Sequence, residues 1–278
     1  MQDKTSDFLK RVEYAVASEQ LLLPSLPDVV MRIRSECDRE DASSHNIVDI
    51  ISQDPALAVR LIQVANCSMY RTRQAADNLH AAVTQLGLRL VKDIILTLSL
   101  KQLYHANHKA LQVQFRQLWK TSVNTASLSR MLASQTKHLQ AEQALLAGLT
   151  HNIGALPILI MASDDAELLA DHDSLNQVIL ELQGPLGAYI FKAWHFPAYL
   201  VDVVESCYQF DRVHNAEADY LDIVQVALIE DSLHNKRPIP DNWALMPAFR
   251  KLGLDTQTRI LDIEANKIMF DETEALFR

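Results

Sequence analysis

The chain has 278 residues, 49% of them hydrophobic, which is enough to fill the core of one large domain or of two joined lobes. It carries 35 acidic and 26 basic residues, and the resulting net charge of −9 argues against nucleic acid as a partner. Three widely spaced cysteines form no disulfide or zinc pattern, which is typical of a cytoplasmic protein with reduced thiols. We expect neither a signal peptide nor a membrane span, because charged residues interrupt the N-terminus and the most apolar stretch.

Helices are predicted throughout, because six glycines and nine prolines are few for this length and the intervening segments are rich in leucine and alanine. The first is expected near residues 5 to 20. Asp54 is placed to cap a later helix that has Pro55 in its first turn. Gly87 then precedes a helix over residues 88–100 that is apolar on nearly every side, which predicts burial. The sequence therefore indicates an all-α protein.

The polar segment HANHKA, at residues 105–110, predicts a hinge. We place the boundary there, between an N-terminal lobe of residues 1–108 and a C-terminal lobe of residues 109–278. Pro185 removes a backbone donor inside a predicted helix and is expected to break or kink it. The helices predicted in the second lobe lie near residues 112–136, 140–150, 154–162, 174–195, 198–208, 217–233 and in the last twenty residues.

Several long motifs follow one another in a fixed order. LPSLPDVVMRI, ISQDPALAVRLIQVANCSMY and AAVTQLGLRLVKDIIL lie in the first half of the chain. LWKTSVNTASLSRMLA, ALLAGLTHNIGALPIL and GAYIFKAWHFPAYLVDVV lie in the second. In this order they resemble the HDOD domain family, over roughly residues 20 to 235. The resemblance implies an HD-domain-like helical bundle with an additional N-terminal helical lobe, and a regulatory role in bacterial signal transduction.

HDOD domains are similar in fold to HD-type phosphohydrolases, which hold catalytic metal with histidines and aspartates. The resemblance places Thr121 at a histidine position, and it places His151 and Asn152 at the central His-Asp pair. The last carboxylate position aligns with Leu228, and Asp231, one turn away, is the alternative. We call the matched positions the vestigial pocket: Thr121, His151, Asn152, Gln183, Cys207, Tyr208 and Leu228.

Only one histidine remains among these positions, whereas a catalytic zinc site uses three protein ligands and a water molecule. We therefore expect no bound metal or other cofactor, and a non-catalytic regulatory protein that acts through protein partners or a small ligand in the vestigial pocket. The alternative is a metal-dependent phosphohydrolase with an unusual site made of His151, Asn152, Gln183 and Asp231. A Cys207 nucleophile with His151 as its base is disfavoured, because no oxyanion hole is evident.

Other clusters carry weaker signals. His105 and His108 have no third metal ligand, and the acidic stretch over residues 164–173 lacks the spacing of a calcium loop. No glycine-rich phosphate loop is present in the sequence. The candidate partner surface lies on the Asp54-capped helix and just after it, where an aromatic residue and arginines are typical of protein interfaces. It consists of Arg60, Tyr70, Arg71 and Arg73.

Overall fold

The computed structural model of the protein describes residues 26–104, 111–214 and 217–277, together with residues 8, 10–12, 14, 15, 18 and 24. These described residues form fourteen α-helices and three short 3-10 helices, and they contain no β-strand. The all-α prediction is confirmed. The first helix expected near residues 5 to 20 is described only in part, and the hinge and boundary expected around residue 108 lie outside the described residues.

The chain divides into two compact units. We call residues 25–102 with 271–278 the first unit, and residues 1–24 with 103–270 the second unit. Five helices belong to the first unit: α1 (Asp28–Cys37), α2 (Ser44–Ser52), α3 (Pro55–Ala65), α4 (Leu79–Leu86) and α5 (Leu88–Leu100).

Most of the other helices belong to the second unit. They are α6 (Gln112–Ser134), α7 (Ala141–Thr150), α8 (Ala155–Ala162), α9 (Ala166–Ala170), α10 (His172–Ala193), α11 (Ala198–Ser206), α12 (Tyr220–His234) and α13 (Pro247–Lys251). The last helix, α14 (Glu264–Ala275), begins in the second unit and ends in the first.

Local sequence signals set the helix ends of the first unit. The Asp54 carboxylate accepts a hydrogen bond of 3.0 Å from the backbone N–H of Leu57, and Pro55 is the first residue of α3. Gly87 has a φ of +77° between α4 and α5, a region of backbone conformation that favours glycine. Every residue from Ile94 to Leu100 is buried, as predicted for this apolar helix.

Three helices supply the centre of the second unit. Every residue of α6 from Ser122 to Ala133 is buried, and α6 packs against α7 and α12. In α12 every residue from Leu221 to Asp231 is buried as well. When a helix is buried on every side, its polar side chains need hydrogen-bond partners inside the protein. In α6 and α12, some of these polar side chains and their partners form the candidate site.

The segment Ala141–Ala162, which covers α7, α8 and the turn between them, is long and apolar enough to cross a membrane by length and composition. In the structure, 89% of its most apolar window is buried inside the protein. Burial in the core therefore accounts for its apolar composition.

Gly154 lets the turn between α7 and α8 lie directly against α10. A β-carbon at this position would be 1.9 Å from the carbonyl oxygen of Gln183, which is far closer than atoms can approach. Helix α10 runs through Pro185 as one element, so the break expected there does not occur. Packing of α10 on α8 and α11 outweighs the single backbone hydrogen bond that a proline removes.

Candidate functional site

His151 follows the last residue of α7 and is 1% exposed. Its Nδ1 lies 2.7 Å from the carbonyl oxygen of Gly148, and Nδ1 carries the proton because a carbonyl can only accept. Nε2 keeps a lone pair and has no hydrogen-bond partner among the described residues. Burial lowers the pKa of His151 to about 4, and the positive charge of Arg237 acts in the same direction. The imidazole is therefore neutral at pH 7.

Asn152, which the resemblance places at the aspartate of the His-Asp pair, is held by three protein groups. Its side-chain oxygen accepts hydrogen bonds from the hydroxyl of Tyr104 at 2.8 Å and from the hydroxyl of Ser122 at 2.9 Å. Its amide nitrogen donates to the carbonyl oxygen of Leu118 at 3.2 Å. Two donors occupy both lone pairs of an amide oxygen. Asn152 is therefore a buried structural link between α6 and the 3-10 helix that contains Tyr104.

Cys207 and Tyr208 lie beside His151. The thiol of Cys207 is 3.7 Å from the backbone oxygen of His151, and the rings of Tyr208 and His151 are 5.9 Å apart. Burial raises the pKa of Cys207, so its side chain is a neutral thiol. The thiol contacts the backbone of His151, which does not fit a nucleophile activated by the imidazole. Gln183 is also buried, and its backbone lies against Gly154.

Arg237 joins two positions of the site. One nitrogen of its guanidinium donates to the hydroxyl of Thr121 at 3.1 Å, and the other pairs with the carboxylate of Asp231. The second oxygen of Asp231 accepts from the side-chain amides of Asn124 and Asn235, each at 2.8 Å. Asp231 is 2% exposed, and burial raises the pKa of its carboxyl while the charge of Arg237 opposes the rise. An internal cation thus neutralises this buried carboxylate.

Two cavities adjoin Arg237, and both are also lined by Thr121. The first, of about 290 Å³, is lined by Tyr208 and Leu228. The second, of about 300 Å³, is lined by Asp231. Leu228 and Asp231, the two candidates for one alignment position, therefore face neighbouring cavities. Four further positions of the vestigial pocket are buried and do not line either cavity: His151, Asn152, Gln183 and Cys207.

Two residues of the site, Arg237 and Tyr104, were not predicted from the sequence. Arg237 follows the end of α12 by three residues, in the polar segment HNKRPIP. Basic residues at the end of a helix are common and favourable, so this position carries no specific signal. The contact with Thr121, 116 residues earlier, exists only because the loop folds back on α6.

The donor groups do not fit the two-metal centre of an HD-type phosphohydrolase. Both lone pairs of the Asn152 oxygen are occupied by hydroxyl donors, and one oxygen of Asp231 pairs with the guanidinium of Arg237. The Nε2 atom of His151 offers one lone pair. Two adjacent cations need bridging anionic ligands to offset their mutual repulsion, and this set supplies none.

A second cluster, formed by His214, Asp219 and Asp222, has ligand atoms within 4.8 Å of one another. Two basic side chains already neutralise it. Arg212 donates to both oxygens of Asp219, at 2.9 and 2.6 Å. Lys251 contacts the Nε2 atom of His214 and lies 3.5 Å from an oxygen of Asp222. This arrangement is a salt-bridge network that connects α12 to α13.

The candidate partner surface lies in the first unit, on α3 and in the segment that follows it. Arg71 and Arg73 are exposed, whereas Arg60 and Tyr70 are half-buried. The backbone oxygen of Tyr70 accepts a hydrogen bond of 3.0 Å from the side chain of Gln85. The two exposed arginines are therefore the part of this surface that is open to a partner.

The remaining clusters from the sequence analysis have structural roles or lie outside the described residues. Asp165 accepts from the backbone N–H of Leu168 at 3.1 Å and caps α9. Asp171 accepts from the backbone N–H of Ser174 at 3.2 Å and caps α10. These acidic residues are helix caps. His105 and His108 lie outside the described residues.

Solved structures with the same fold come from several bacteria. A Shewanella amazonensis protein assigned provisionally to the metal-dependent phosphohydrolases is 27% identical, with a TM-score of 0.86, over 99% of this chain and all of its own. An HDOD domain protein of unknown function from Geobacter sulfurreducens is 18% identical, with a TM-score of 0.68, over 99% of this chain and 98% of its own. The second likeness concerns the fold alone.

Sequence comparison leads to the same family. An uncharacterized protein of Treponema pallidum (strain Nichols) is 23% identical over 196 residues, and the match covers 66% of this chain. This chain spans only 37% of the length of that relative. The model of the HDOD domain matches residues 23–210, which is more than half of the chain. The protein therefore belongs to the HDOD domain family.

Proposed function

We propose that this protein is a non-catalytic regulatory protein of bacterial signal transduction, which acts through protein partners or by binding a small ligand beside Arg237. The pairing of Arg237 with Asp231 carries the proposal. In this pair the guanidinium of Arg237 neutralises Asp231, the buried carboxylate that lies one helical turn from an aligned metal-ligand position. A guanidinium is permanently charged, so it competes with any metal for that carboxylate over the whole physiological pH range.

The hydrogen bonds of Asn152 support the same conclusion. A carboxylate at this position would bring a negative charge close to the hydroxyls of Tyr104 and Ser122 in a buried place. A neutral amide satisfies the same two donors at no cost in charge. The site is therefore adapted to stability without metal. We place the protein in the cytoplasm, consistent with Cys37, Cys67 and Cys207 as free thiols.

The test is a hydrolysis assay with phosphomonoesters, nucleotides and cyclic dinucleotides, each with Mg, Mn, Fe, Ni or Zn supplied. We expect product formation to equal that of His151→Ala with every metal, because no metal-bound hydroxide forms without anionic ligands. His45→Ala, an exposed histidine of the first unit, is the matched control. Turnover that His151→Ala abolishes and His45→Ala retains would contradict the proposal.

The second candidate function is a metal-dependent phosphohydrolase with an unusual site. It rests on the lone pair of His151 Nε2, which has no partner among the described residues, and on the likeness to the Shewanella protein. Metal analysis of the protein purified without chelators separates the two functions. A phosphohydrolase would hold about one transition metal or more per chain and lose it in His151→Ala, whereas the regulatory protein would hold none above the His151→Ala value.

A further inference from the structure

Two cavities of different character meet at Arg237 and Thr121. We propose that together they form one binding site for a small amphipathic acid, with an apolar body in the first cavity and a single acidic head group at Arg237. The inference rests on the proposed ligand-binding function and adds the chemical class of the ligand. All residues that line the two cavities belong to the second unit.

The first cavity has mainly apolar walls. Leu180 stands at this cavity with 59% of its surface exposed. An apolar ligand in the cavity would cover it and gain the free energy of removing that surface from water. The apolar side chains that line this cavity are Leu180, Phe210, Leu228, Ile229 and Ile239.

The second cavity is lined only by polar residues. Its charged side chains are Lys120, Asp231 and Arg237, which together carry one excess positive charge. Asp231 already accepts from Arg237, Asn124 and Asn235, so it has little capacity left for a donor on a ligand. This cavity therefore favours a ligand group that accepts hydrogen bonds and carries a negative charge.

Arg237 is suited to receive an acidic group. A guanidinium has five N–H donors, and its hydrogen bonds to Asp231 and Thr121 use only part of them. Its side chain is 39% exposed, whereas Asp231 is buried beneath it. Guanidinium groups bind carboxylate and phosphate oxygens in a fixed two-pronged geometry. One excess positive charge matches one acidic group, and it does not match the several charges of a nucleoside triphosphate.

Calorimetric titration of the 278-residue chain with three probes that share an eight-carbon chain tests the site. The probes are octanoate, octyl phosphate and the neutral alcohol octanol. We expect octanoate, octyl phosphate or both to bind at least about tenfold more tightly than octanol, because a hydrogen bond between two charged groups is stronger than one to a neutral hydroxyl. The acid that binds more tightly identifies the head group as carboxylate or phosphate.

Two variants assign the binding to these cavities. Arg237→Gln is expected to weaken binding of the acids by about tenfold and to leave octanol unchanged. Arg116→Gln, an exposed arginine on α6 outside both cavities, is the matched control and should bind like wild type. Because Arg237 pairs with the buried Asp231, a folding defect in Arg237→Gln is a risk. Leu180→Gln changes an exposed residue and is expected to weaken all three probes together.

The outcomes are distinguishable. The proposed site is contradicted if octanol binds as tightly as the acids. It is also contradicted if Arg237→Gln and Leu180→Gln both fold and bind the acids with the affinity of wild type. Failure of all three probes to bind also overturns it, and leaves the regulatory proposal intact. Release of inorganic phosphate from octyl phosphate, abolished by His151→Ala, would support binding at the site but overturn the non-catalytic function.

Discussion

At the scale of single residues, the buried polar groups of the candidate site find most of their partners within the protein. Asn152 accepts two hydroxyl donors, and Asp231 is paired with Arg237. His151 is the exception, since its Nε2 has no partner among the described residues. A buried imidazole of this kind is tolerated in its neutral form, and it makes stability depend on pH.

We expect the free energy of unfolding to fall as the pH is lowered from about 6.5 to about 4. His151 has a pKa of about 4 in the folded protein and an ordinary value of 6.5 when unfolded. The unfolded state therefore binds more protons in this window, and the loss of stability reaches roughly 3 kcal/mol at its lower end. Urea titrations at pH 7 and pH 5 measure the part of this loss above pH 5, which is about 2 kcal/mol.

His151→Gln is the comparison for this measurement, because glutamine does not titrate. The part of the pH dependence that comes from His151 should disappear in the variant, while the part that comes from other groups stays. A pH dependence equal to that of wild type would show that His151 is not the responsible group.

At the scale of helices, two features hold the second unit together around the site. Gly154 permits the turn before α8 to contact the backbone of α10. The network of Arg212, His214, Asp219, Asp222 and Lys251 connects the start of α12 to α13. We expect substitutions at Gly154 and at Lys251 to lower the free energy of unfolding.

Gly154→Ala is expected to lower the free energy of unfolding by about 3 kcal/mol or more, because the new methyl group would overlap backbone atoms of Gln183 and Gly187. Gly253→Ala is the matched control. Its methyl group would meet no atom within 4 Å, so only the positive φ of 67° costs free energy, by about 1 kcal/mol. Equal losses in the two variants, measured by urea unfolding, would refute the close contact at Gly154.

Lys251→Met is expected to destabilise the protein by about 3 kcal/mol, since it leaves the buried Asp222 without one of its two cations. Arg250→Met is the matched control at the adjacent, exposed position, and a surface substitution should change stability by less than about 0.5 kcal/mol. The measurement is the midpoint of thermal or urea unfolding. A Lys251→Met protein as stable as Arg250→Met would show that the network contributes little.

At the scale of the whole molecule, the two units offer different kinds of site. The second unit contains the cavities beside Arg237, where a small ligand is proposed. The first unit carries the exposed arginines Arg71 and Arg73, where a protein partner is proposed. A regulatory protein needs both an input and an output, and this division supplies a candidate for each.

The double variant Arg71→Ala, Arg73→Ala is expected to reduce recovery of partner proteins in affinity purification, because arginine is enriched at interface hot spots. Its melting temperature should stay within a few degrees of wild type, as for other exposed substitutions. Arg89→Ala, another exposed arginine of the first unit, is the control. The same proteins recovered in the same amounts from wild type and double variant would place the partner surface elsewhere.

Local signals in the sequence were sufficient for the helices. Asp54 with Pro55 predicted the start of α3, and the apolar run after Gly87 predicted a buried α5. These features depend on residues close together in the chain, where backbone capping and apolar periodicity act. At Pro185, where a break or a kink was predicted, α10 has no break, because packing along α10 compensates for the hydrogen bond that proline removes.

The order of the motifs was also enough to identify the family. Which groups pair with Thr121 and Asn152 was decided by the tertiary structure alone. Arg237 reaches Thr121 across 116 residues of sequence, and Tyr104 reaches Asn152 across 48. Such contacts depend on how helices and loops pack in space, and no periodicity or local motif encodes them. For the same reason the neutral state of His151 follows from its burial, which only the folded chain creates.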